Sequence, residues 1–308
     1  MSRNNLKLTI LLFPVLLLLF FPSEVKGQEE IEHSLQPSAG TIRRFQFNSN
    51  YIEDRKVDIW LPEGYSSFKE YSVLYMHDGQ MLYDNSSSWN KKSWQVDSTI
   101  QKLINEKQID EVIVVGIWNS PDRLAEYFPQ KAVPYIEEQQ KNELLKYMPS
   151  GLLADNYLKF IVNELKPFVD QTFSTKKEKT HTFIAGSSMG GLISLYALCE
   201  YPDIFGGAAC LSTHWIGTLE NNGQIPDALN QYIQLALPSP GDHKIYFDHG
   251  TVGLDANYPA YQKIIDQTLK QKEYDESGTI SIEFEGENHN EDYWAARFSY
   301  PLKFLLGK

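Results

Sequence analysis

Cysteine, positive charge and metal-binding motifs are all scarce in this chain of 308 residues. Its two cysteines allow at most one disulfide bond, which excludes a small disulfide-dependent scaffold. Lysine and arginine number 28 against 40 aspartates and glutamates, so the basic surface that nucleic-acid binding needs is not expected. No HExxH, CxxC or EF-hand pattern occurs, so the sequence predicts neither a metal ion nor a cofactor. A hydrophobic content of 42% excludes wholesale disorder.

Residues 1–27 have the layout of a secretory signal peptide. Arg3 and Lys7 precede an apolar run over 8–21, and Gly27 supplies a small residue at the predicted cleavage point. The run is shorter than the roughly 20 residues that cross a bilayer, and an uncleaved anchor helix is the alternative. We expect a secreted or periplasmic protein with no stable membrane insertion after cleavage. Cleavage removes three basic residues and one acidic residue, which makes the net charge more negative than −12.

Residues 28–308 are predicted to form a single α/β domain. Strand-like runs lie at 42–47, 55–61, 71–76, 111–118, 181–185, 207–211, 244–247 and 280–284. Helical spacing of apolar residues covers 94–103, 155–170, 192–199, 261–269 and 293–306. This alternation predicts βαβ units and a mostly parallel central sheet with helices on both faces. The first two strands have no helix between them, which predicts an antiparallel N-terminal edge.

Two long connections, roughly 119–153 and 213–242, follow predicted strands. Both leave the carboxyl ends of strands, where open α/β sheets place their ligand sites. Long loops at such positions are often functional. We interpret both as substrate-contacting loops, and structural covers are the alternative.

The segment 186–190 reads GSSMG and matches the G-x-S-x-G pattern of a nucleophile elbow. A predicted strand at 181–185 precedes it and a predicted helix at 192–199 follows it, which is the context that this turn requires. Glycine at both ends of the motif would avoid collisions where strand and helix pass closely. Ser188 is therefore the predicted nucleophile, with its hydroxyl above the sheet near the positive end of a helix. A structural or phosphate-binding glycine turn is the alternative, although the turn contains no lysine.

A serine hydroxyl needs a base before it can act as a nucleophile. In this arrangement the partners follow the serine in the order acid, then histidine. His289 lies in a polar loop between the last strand and the last helix, where the base is expected. His243 precedes a strand, whereas His214 and His249 each follow one and fit the base position less well, although both could contact substrate. The sequence predicts His289 as the base.

The acid of such a triad is expected after the penultimate strand. Asp255 lies on the loop beyond the strand 244–247 and could reach across to the histidine. Asp248 is the alternative, with a turn or hydrogen-bonding role at the strand end if Asp255 is the acid. Such an acid orients the imidazole and stabilises its charged form without taking the proton itself.

The oxyanion of a tetrahedral intermediate needs backbone N–H donors. One is expected from Met189, the residue after the nucleophile, and the other from the loop that follows the strand 71–76. Gly79 allows the backbone to approach closely, so Gly79 or Gln80 is the predicted second donor. His77 precedes the nucleophile in the chain, and we interpret it as a structural hydrogen-bonding group.

Several segments together resemble the putative-esterase family of α/β-hydrolases. They are YMHDGQ at 75–80, GSSMGG at 186–191, GTVGLD at 250–255 and the late His289. The family includes feruloyl and acetylxylan esterases, enterobactin-type siderophore esterases, S-formylglutathione hydrolases and mycolyltransferases. The resemblance covers about 40–306. It implies the α/β-hydrolase fold and a triad of Ser188, Asp255 and His289.

The same resemblance implies that four residues after the strand 111–118 line the substrate cleft. They are Asn119, Arg123, Glu126 and Tyr127. A local ion pair between Arg123 and Glu126 is the alternative for those two residues. Aromatic faces suit stacking on sugar rings, and Trp215 beside His214 is a further candidate for substrate binding. Other aromatic candidates are Trp89, Trp94 and Trp118.

These observations predict a secreted serine carboxylesterase that hydrolyses an ester through an acyl-enzyme. The predicted substrate is a small-molecule or oligosaccharide ester, such as an acetyl or feruloyl ester on a polysaccharide. The alternatives are a periplasmic siderophore trilactone esterase and a non-catalytic binding module. An iron-loaded siderophore is anionic and would be favoured by a basic cleft, which an acidic chain does not suggest.

The sequence does not determine whether the two cysteines are paired. Cys199 ends a predicted helix and Cys210 lies in the next predicted strand. They are either two buried free thiols or one disulfide, because sequence does not reveal whether their side chains face each other.

Overall fold

The computed structural model describes residues 28–86, 88–218 and 223–308. The predicted signal peptide at 1–27 lies outside the described residues, as do Ser87 and the segment 219–222 of the second long connection. Among the described helices, none combines the length and the apolar character needed to cross a lipid bilayer.

A single sheet organises the described chain. Its strands are β1 (Glu29–Ile31), β2 (Thr41–Phe47), β3 (Arg55–Leu61), β4 (Ser72–His77), β5 (Val112–Ile117), β6 (Thr182–Ser187), β7 (Gly207–Leu211), β8 (Lys244–Gly250) and β9 (Thr279–Phe284). They lie in the order β1-β2-β3-β5-β4-β6-β7-β8-β9. β4 to β9 are parallel to one another, whereas β1, β2 and β3 form an antiparallel edge. The predicted fold class, including the antiparallel N-terminal edge, is confirmed.

Helices cover both faces of this sheet. They are α1 (Val96–Asn105), α2 (Arg123–Tyr127), α3 (Glu138–Lys146), α4 (Ala154–Phe160), α5 (Lys166–Thr172), α6 (Met189–Glu200), α7 (Gln224–Ala236), α8 (Pro259–Gln271), α9 (Glu291–Arg297) and α10 (Ser299–Leu306). Buried residues of α2 to α8 belong to the larger core. Those of α1, α9 and α10 belong to a second core on the other face.

Strand β5 shows why the parallel strands are apolar throughout. Ile113, Val115 and Ile117 belong to the larger core, while Val112 and Val114 belong to the smaller one. Successive side chains of a strand point to opposite faces, and here both faces are covered by helices. A strand buried on both faces therefore reads as a continuous apolar run, as the sequence does.

Two predicted helices are interrupted, and proline explains both interruptions. The predicted helix 155–170 contains a wider turn over Ile161–Leu165, because Pro167 has no N–H to continue the regular hydrogen-bond ladder. The predicted helix 293–306 divides into α9 and α10 around Phe298, where Pro301 has the same effect. In addition, β1 was not predicted.

The two long connections also contain helices. α2 and α3 lie within 119–153, together with a 3₁₀ turn at Gln130–Tyr135, and α7 lies within 213–242. Further 3₁₀ turns occupy Gly79–Met81, Lys179–His181 and Gly253–Asn257. The turn at Gly79–Met81 follows β4 and the one at Gly253–Asn257 follows β8, so both lie at the carboxyl edge of the parallel strands.

Candidate active site

Ser188 forms the turn between β6 and α6. Its backbone has φ 59° and ψ −123°, a conformation that is strained for any residue other than glycine. The turn is held by the Ser188 N–H, which donates to the Leu211 carbonyl at 2.9 Å. The Ser188 carbonyl accepts from the His214 N–H at 3.2 Å. The predicted strand–turn–helix context of this serine is therefore present.

The glycines around this serine have different roles. A Cβ atom at Gly186 would lie 2.9 Å from the Gly190 backbone, and one at Gly191 would lie 2.8 Å from the Thr213 hydroxyl. A Cβ atom at Gly190 would meet His77 at an ordinary 3.6 Å. The close approach predicted for both ends of the motif thus holds at Gly186, but Gly191 replaces Gly190 as the second tightly packed position.

His289 and Asp255 are in direct contact. The Nδ1 atom of His289 lies 2.5 Å from Oδ1 of Asp255. The imidazole also packs edge-on against Trp294, with ring centroids 4.9 Å apart, and against Tyr258 at 5.8 Å. These contacts hold the imidazole plane, so its other nitrogen, Nε2, is the one left for a reacting proton.

The Asp255 carboxylate is fully buried. Its second oxygen, Oδ2, accepts from the Ser212 hydroxyl at 2.6 Å and from the Gly250 N–H at 2.7 Å. Burial alone would raise the pKa of Asp255, but the hydrogen bond and charge of His289, together with these donors, lower it below its ordinary value. The carboxylate is therefore ionised at neutral pH.

Asp248, the alternative acid, has other partners. It accepts from the Tyr246 hydroxyl at 2.9 Å and pairs with Arg297 at 3.1 Å. Burial raises the pKa of Asp248 to about 6, against the lowering effect of Arg297. It is part of β8 rather than of the loop beyond it. Of the two candidate acids, Asp255 is the one that contacts His289.

The loop after β4 is held by an ion pair. Asp78 has a left-handed backbone with φ 57°. Its carboxylate accepts from the Nε and Nη2 atoms of Arg123, each at 2.7 Å, and from the Asn119 amide at 2.6 Å. Burial opposes ionisation of Asp78, but the Arg123 charge and these hydrogen bonds lower its pKa below the ordinary value.

Gly79 brings this loop against the sheet. A Cβ atom there would lie 2.6 Å from the Gly116 carbonyl group in β5, so only glycine fits without displacement. Gly79 and Gln80 open a 3₁₀ turn, and Met189 opens α6. The first N–H groups of a helix have no partner inside it, and the predicted oxyanion donors Gly79 and Met189 both occupy such a first position.

His77 contacts tyrosine rather than the reacting residues. Its Nδ1 atom lies 2.8 Å from the Tyr157 hydroxyl, and its ring packs against Tyr127 at 5.2 Å. Burial lowers the pKa of His77 to about 3, so this imidazole is neutral at physiological pH.

Ser188 and His289 line the same cavity, which measures about 410 Å³. The other residues of its wall are Asp78, Met81, Trp89, Asn90, Lys92, Trp94, Asn119, Arg123, Ser187, Asn290, Glu291 and Trp294. The structure thus brings the predicted nucleophile, the predicted base and two predicted substrate-binding residues, Asn119 and Arg123, to one cavity.

Three other predicted substrate-binding residues lie outside the described wall of this cavity. Tyr127 and Trp215 are buried in the larger core, and His214 is buried with its Nδ1 2.7 Å from the Tyr258 hydroxyl. None of the three belongs to the described wall of the cavity, because their apolar surfaces pack inside the domain. The described part of the connection 213–242 likewise contributes no residue to that wall.

Glu126, which the family resemblance placed in the substrate cleft, is not part of the described cavity wall. It is almost fully buried and accepts two hydrogen bonds from Arg55, at 2.7 and 3.0 Å. Arg123 pairs with Asp78 instead, so the alternative of a local Arg123–Glu126 ion pair is wrong as well. Arg55 lies 71 positions from Glu126 and Asp78 lies 45 positions from Arg123, which explains why neither pairing was predicted.

The opposite wall of the cavity was largely missed. The segment after β4 crosses to the start of α9, where the Asn90 amide donates to Glu291 and Lys92 pairs with Asp292. Trp94 stacks near Trp294 with ring centroids 5.6 Å apart. Only the tryptophans were singled out in the sequence, as candidates for stacking on sugars.

The described residues contain neither a metal-binding cluster nor a disulfide bond. Among the described residues, no group of three or more histidine, cysteine, aspartate or glutamate side chains is arranged to hold a metal ion. Cys199 and Cys210 are buried free thiols, and burial raises the pKa of both.

Known proteins resemble this chain in sequence and in fold. YbbA of Bacillus subtilis (strain 168) is 24% identical over 264 residues, which cover 83% of this chain and 94% of YbbA. The enterobactin esterase FES of Shigella flexneri gives a TM-score of 0.65 at 16% identity, over 88% of this chain and 60% of FES. The CE1 ferulic acid esterase AmCE1/Fae1A of Anaeromyces mucronatus gives a TM-score of 0.60 at 20% identity, over 91% and 93% of the two chains.

A match to a family model shows which protein family the chain belongs to, whereas the structural neighbours show only its fold. The model described as a putative esterase matches residues 49–305, which is most of the chain. This match supports esterase activity, and the structural neighbours share the fold. The chain belongs to the putative-esterase family and has its α/β-hydrolase fold.

Proposed function

We propose that this protein is an exported serine carboxylesterase with Ser188 as nucleophile, His289 as general base and Asp255 as the orienting acid. One observation carries the proposal. The strained serine lines the same cavity as a histidine whose Nδ1 atom is held 2.5 Å from a fully buried carboxylate. A nucleophile, a base and a group that orients the base are the elements that acyl transfer requires.

The reaction proceeds in two steps. Nε2 of His289 takes the Ser188 hydroxyl proton as Oγ attacks the ester carbonyl carbon, and His289 then returns that proton to the departing alcohol. In the second step a water molecule attacks the acyl carbon and gives a proton to His289, which returns it to the departing Ser188 oxygen, so that the free acid leaves and the serine hydroxyl is restored. Asp255 stabilises the imidazolium that forms in both steps without accepting its proton.

Oxyanion stabilisation is assigned to backbone N–H groups. Met189 supplies one donor and Gly79 or Gln80 the other. The support is the fixed position of the Gly79 loop, which packs on Gly116 and is tied through Asp78 to Arg123. Preorganised donors of this kind need no reorganisation when the negative charge develops.

The cavity favours an ester without a charged acid or alcohol portion. Its two cationic side chains, Arg123 and Lys92, are already paired with the carboxylates of Asp78 and Asp292. Trp89 lines the cavity and is 81% exposed, which suits stacking on a sugar ring. We therefore propose an acetyl or feruloyl ester on a polysaccharide as the substrate. An anionic siderophore trilactone is the second candidate, which the same charge pairing disfavours.

Export is proposed from the sequence of residues 1–27. If the protein is expressed in its native host and recovered outside the cytoplasm, its N-terminal peptide is expected to begin near Gln28. Mass spectrometry of that peptide tests the proposal, and an exported chain that still begins at Met1 would contradict cleavage.

The catalytic proposal is tested with acetylated and feruloylated oligosaccharides. The released acid is identified for the wild type, for Ser188→Ala and for Ser98→Ala, which removes a hydroxyl from the partly exposed helix α1. We expect acid release and fluorophosphonate labelling in the wild type and in Ser98→Ala, and neither in Ser188→Ala. Turnover retained by a folded Ser188→Ala protein would overturn the assignment.

A further inference from the structure

Ser212 contacts the oxygen of Asp255 that does not contact His289. The Ser212 hydroxyl lies 2.6 Å from Oδ2 of Asp255, whereas His289 lies 2.5 Å from Oδ1. Ser212 follows β7 directly and is fully buried. It is absent from the described wall of the cavity, so it would act on a substrate only through the residues that it contacts.

The direction of the Ser212 hydroxyl proton follows from its other partners. Nε1 of Trp294 lies 2.9 Å from the Ser212 oxygen, and Nη2 of Arg297 lies 2.7 Å from it. Both nitrogens can only donate hydrogen bonds, and a hydroxyl oxygen has two acceptor lone pairs and one proton. With both lone pairs occupied by donors, the proton is directed to Asp255.

The backbone at Ser212 is held in a strained conformation. Its φ is 41°, in the left-handed region that serine rarely adopts. The Ser212 N–H donates to the Asp248 carbonyl at 2.8 Å. Arg297 is held in turn by Asp248 at 3.1 Å and by Glu287 at 2.5 Å. Charged and polar groups thus fix both the backbone and the hydroxyl of this serine.

We propose that Ser212 is a positioning residue of the esterase site, where it donates its single proton to Asp255 and fixes the carboxylate that orients His289. The inference rests on the proposed function of Ser188, Asp255 and His289. Trp294 links this serine to the cavity, because its indole donates to Ser212 while its ring packs on His289 and lines the cavity wall.

Two substitutions remove the hydroxyl with different effects on the backbone. Ser212→Ala keeps the Cβ atom in its strained conformation, whereas Ser212→Gly suits a positive φ. For both, we expect kcat on 4-nitrophenyl acetate to fall about 10- to 100-fold, as the loss of a hydrogen bond to a charged group implies. KM should stay within about twofold, since Ser212 is not part of the cavity wall.

The matched control is Ser72→Ala. Ser72 is also a buried serine, with its hydroxyl 3.1 Å from His181 at the amino end of β4, the end of that strand remote from the site. We expect this variant to keep the wild-type kcat. An unchanged kcat in a folded Ser212→Gly protein would overturn the inference, and so would a loss of equal size in Ser72→Ala.

A double-mutant cycle separates positioning from general stability. In an Asp255→Asn background, Ser212→Ala should cost about twofold or less in kcat, because the carboxylate that it positions is gone. The same fold-loss in both backgrounds would contradict the inference. Loss of activity in Ser188→Ala with normal activity in Ser212→Ala would leave the proposed function intact and overturn only the role of Ser212.

Discussion

Gly250 and Glu287 pack so closely that a Cβ atom on Gly250 would lie 2.1 Å from the Glu287 carbonyl oxygen. The next two N–H groups of the chain donate to that same carbonyl, at 3.0 and 3.1 Å. Gly250 ends β8 and Glu287 follows β9, so this contact joins the loop that bears Asp255 to the loop that bears His289. The same two loops bring Nδ1 of His289 to 2.5 Å from Oδ1 of Asp255.

The first prediction is that Gly250→Ala separates the two loops. The added methyl group collides with backbone, which cannot rotate away as a flexible side chain would. We expect kcat to fall at least about tenfold and the free energy of unfolding to fall by about 1–3 kcal/mol, the usual cost of overpacking. Steady-state kinetics and urea denaturation measure the two effects.

Gly151→Ala is the control for this variant. Unlike Gly250, Gly151 has a positive φ, of 81°, and a Cβ atom there would meet nothing within 4 Å. We expect a loss of about 1–2 kcal/mol from backbone strain alone, with an unchanged kcat. If both variants lost kcat equally, the packing of Gly250 on Glu287 would not be what holds the loops together.

Much of the site could be predicted because local sequence determines it. The elbow serine lies between an apolar strand and an apolar helix, and each can be recognised from its own residues. His289 and Asp255 were found from chain order, since each lies in a loop at the carboxyl edge of a parallel sheet. The bounds of the buried strands could also be predicted from local sequence, because strands buried on both faces form short apolar runs.

The side-chain pairings around the site could not be predicted, because they depend on contacts between distant segments. Arg123 pairs with Asp78, 45 positions away, and Asn90 contacts Glu291, 201 positions away. No local pattern marks such pairs, because either partner alone reads as an ordinary surface residue. Trp215 illustrates the opposite error, since an aromatic residue in a polar loop can equally be part of the core, and burial follows only from the fold.

The second prediction distinguishes the two candidate acids. Asp255→Asn should lower kcat by about 10³- to 10⁴-fold, because an amide no longer holds the imidazole in the required tautomer. Asp248→Asn should lower kcat less than about tenfold and reduce stability, because it removes the negative charge that faces Arg297. Steady-state kinetics on one aryl ester, with circular dichroism as a folding control, measure both. Equal losses of kcat would contradict the assignment of Asp255.

The third prediction concerns acid stability and Asp78. The pKa of this carboxyl lies below its ordinary value of 3.8 in the folded protein, so the folded state binds fewer protons than the unfolded state as the pH falls. Its contribution to stability is present above pH 3.8 and is lost as the pH falls through the folded value. We expect Asp78→Asn, which cannot ionise, to lose less stability on acidification than the wild type does.

Denaturant unfolding at pH 5 and at pH 3 measures this difference. Asparagine tolerates the left-handed backbone at this position better than most residues, so the comparison reports charge rather than strain. Arg123→Gln removes the opposite charge and should reduce the same pH dependence. If the free energy of unfolding fell equally between pH 5 and pH 3 in the wild type and in both variants, the Asp78–Arg123 pair would not contribute to acid stability.

The fourth prediction concerns Trp89 and the size of the substrate. This side chain lines the cavity but is largely exposed, so a sugar ring could stack on it while a small aryl ester would not reach that far. We expect Trp89→Ala to raise KM for a feruloylated oligosaccharide about 3- to 10-fold, which corresponds to the loss of one aromatic contact. The value of kcat/KM for 4-nitrophenyl acetate should stay within about twofold.

Phe68→Ala is the matched control for Trp89. Phe68 is an aromatic residue with a fully exposed side chain, and it precedes β4, at the amino end of that strand, whereas the cavity lies at the carboxyl edge of the sheet. Its removal should change neither KM for the feruloylated oligosaccharide nor kcat/KM for 4-nitrophenyl acetate. A loss on the small ester as large as on the oligosaccharide would mean that Trp89 shapes the reacting centre itself. In that case the exposed tryptophan would no longer support a polysaccharide ester as the substrate.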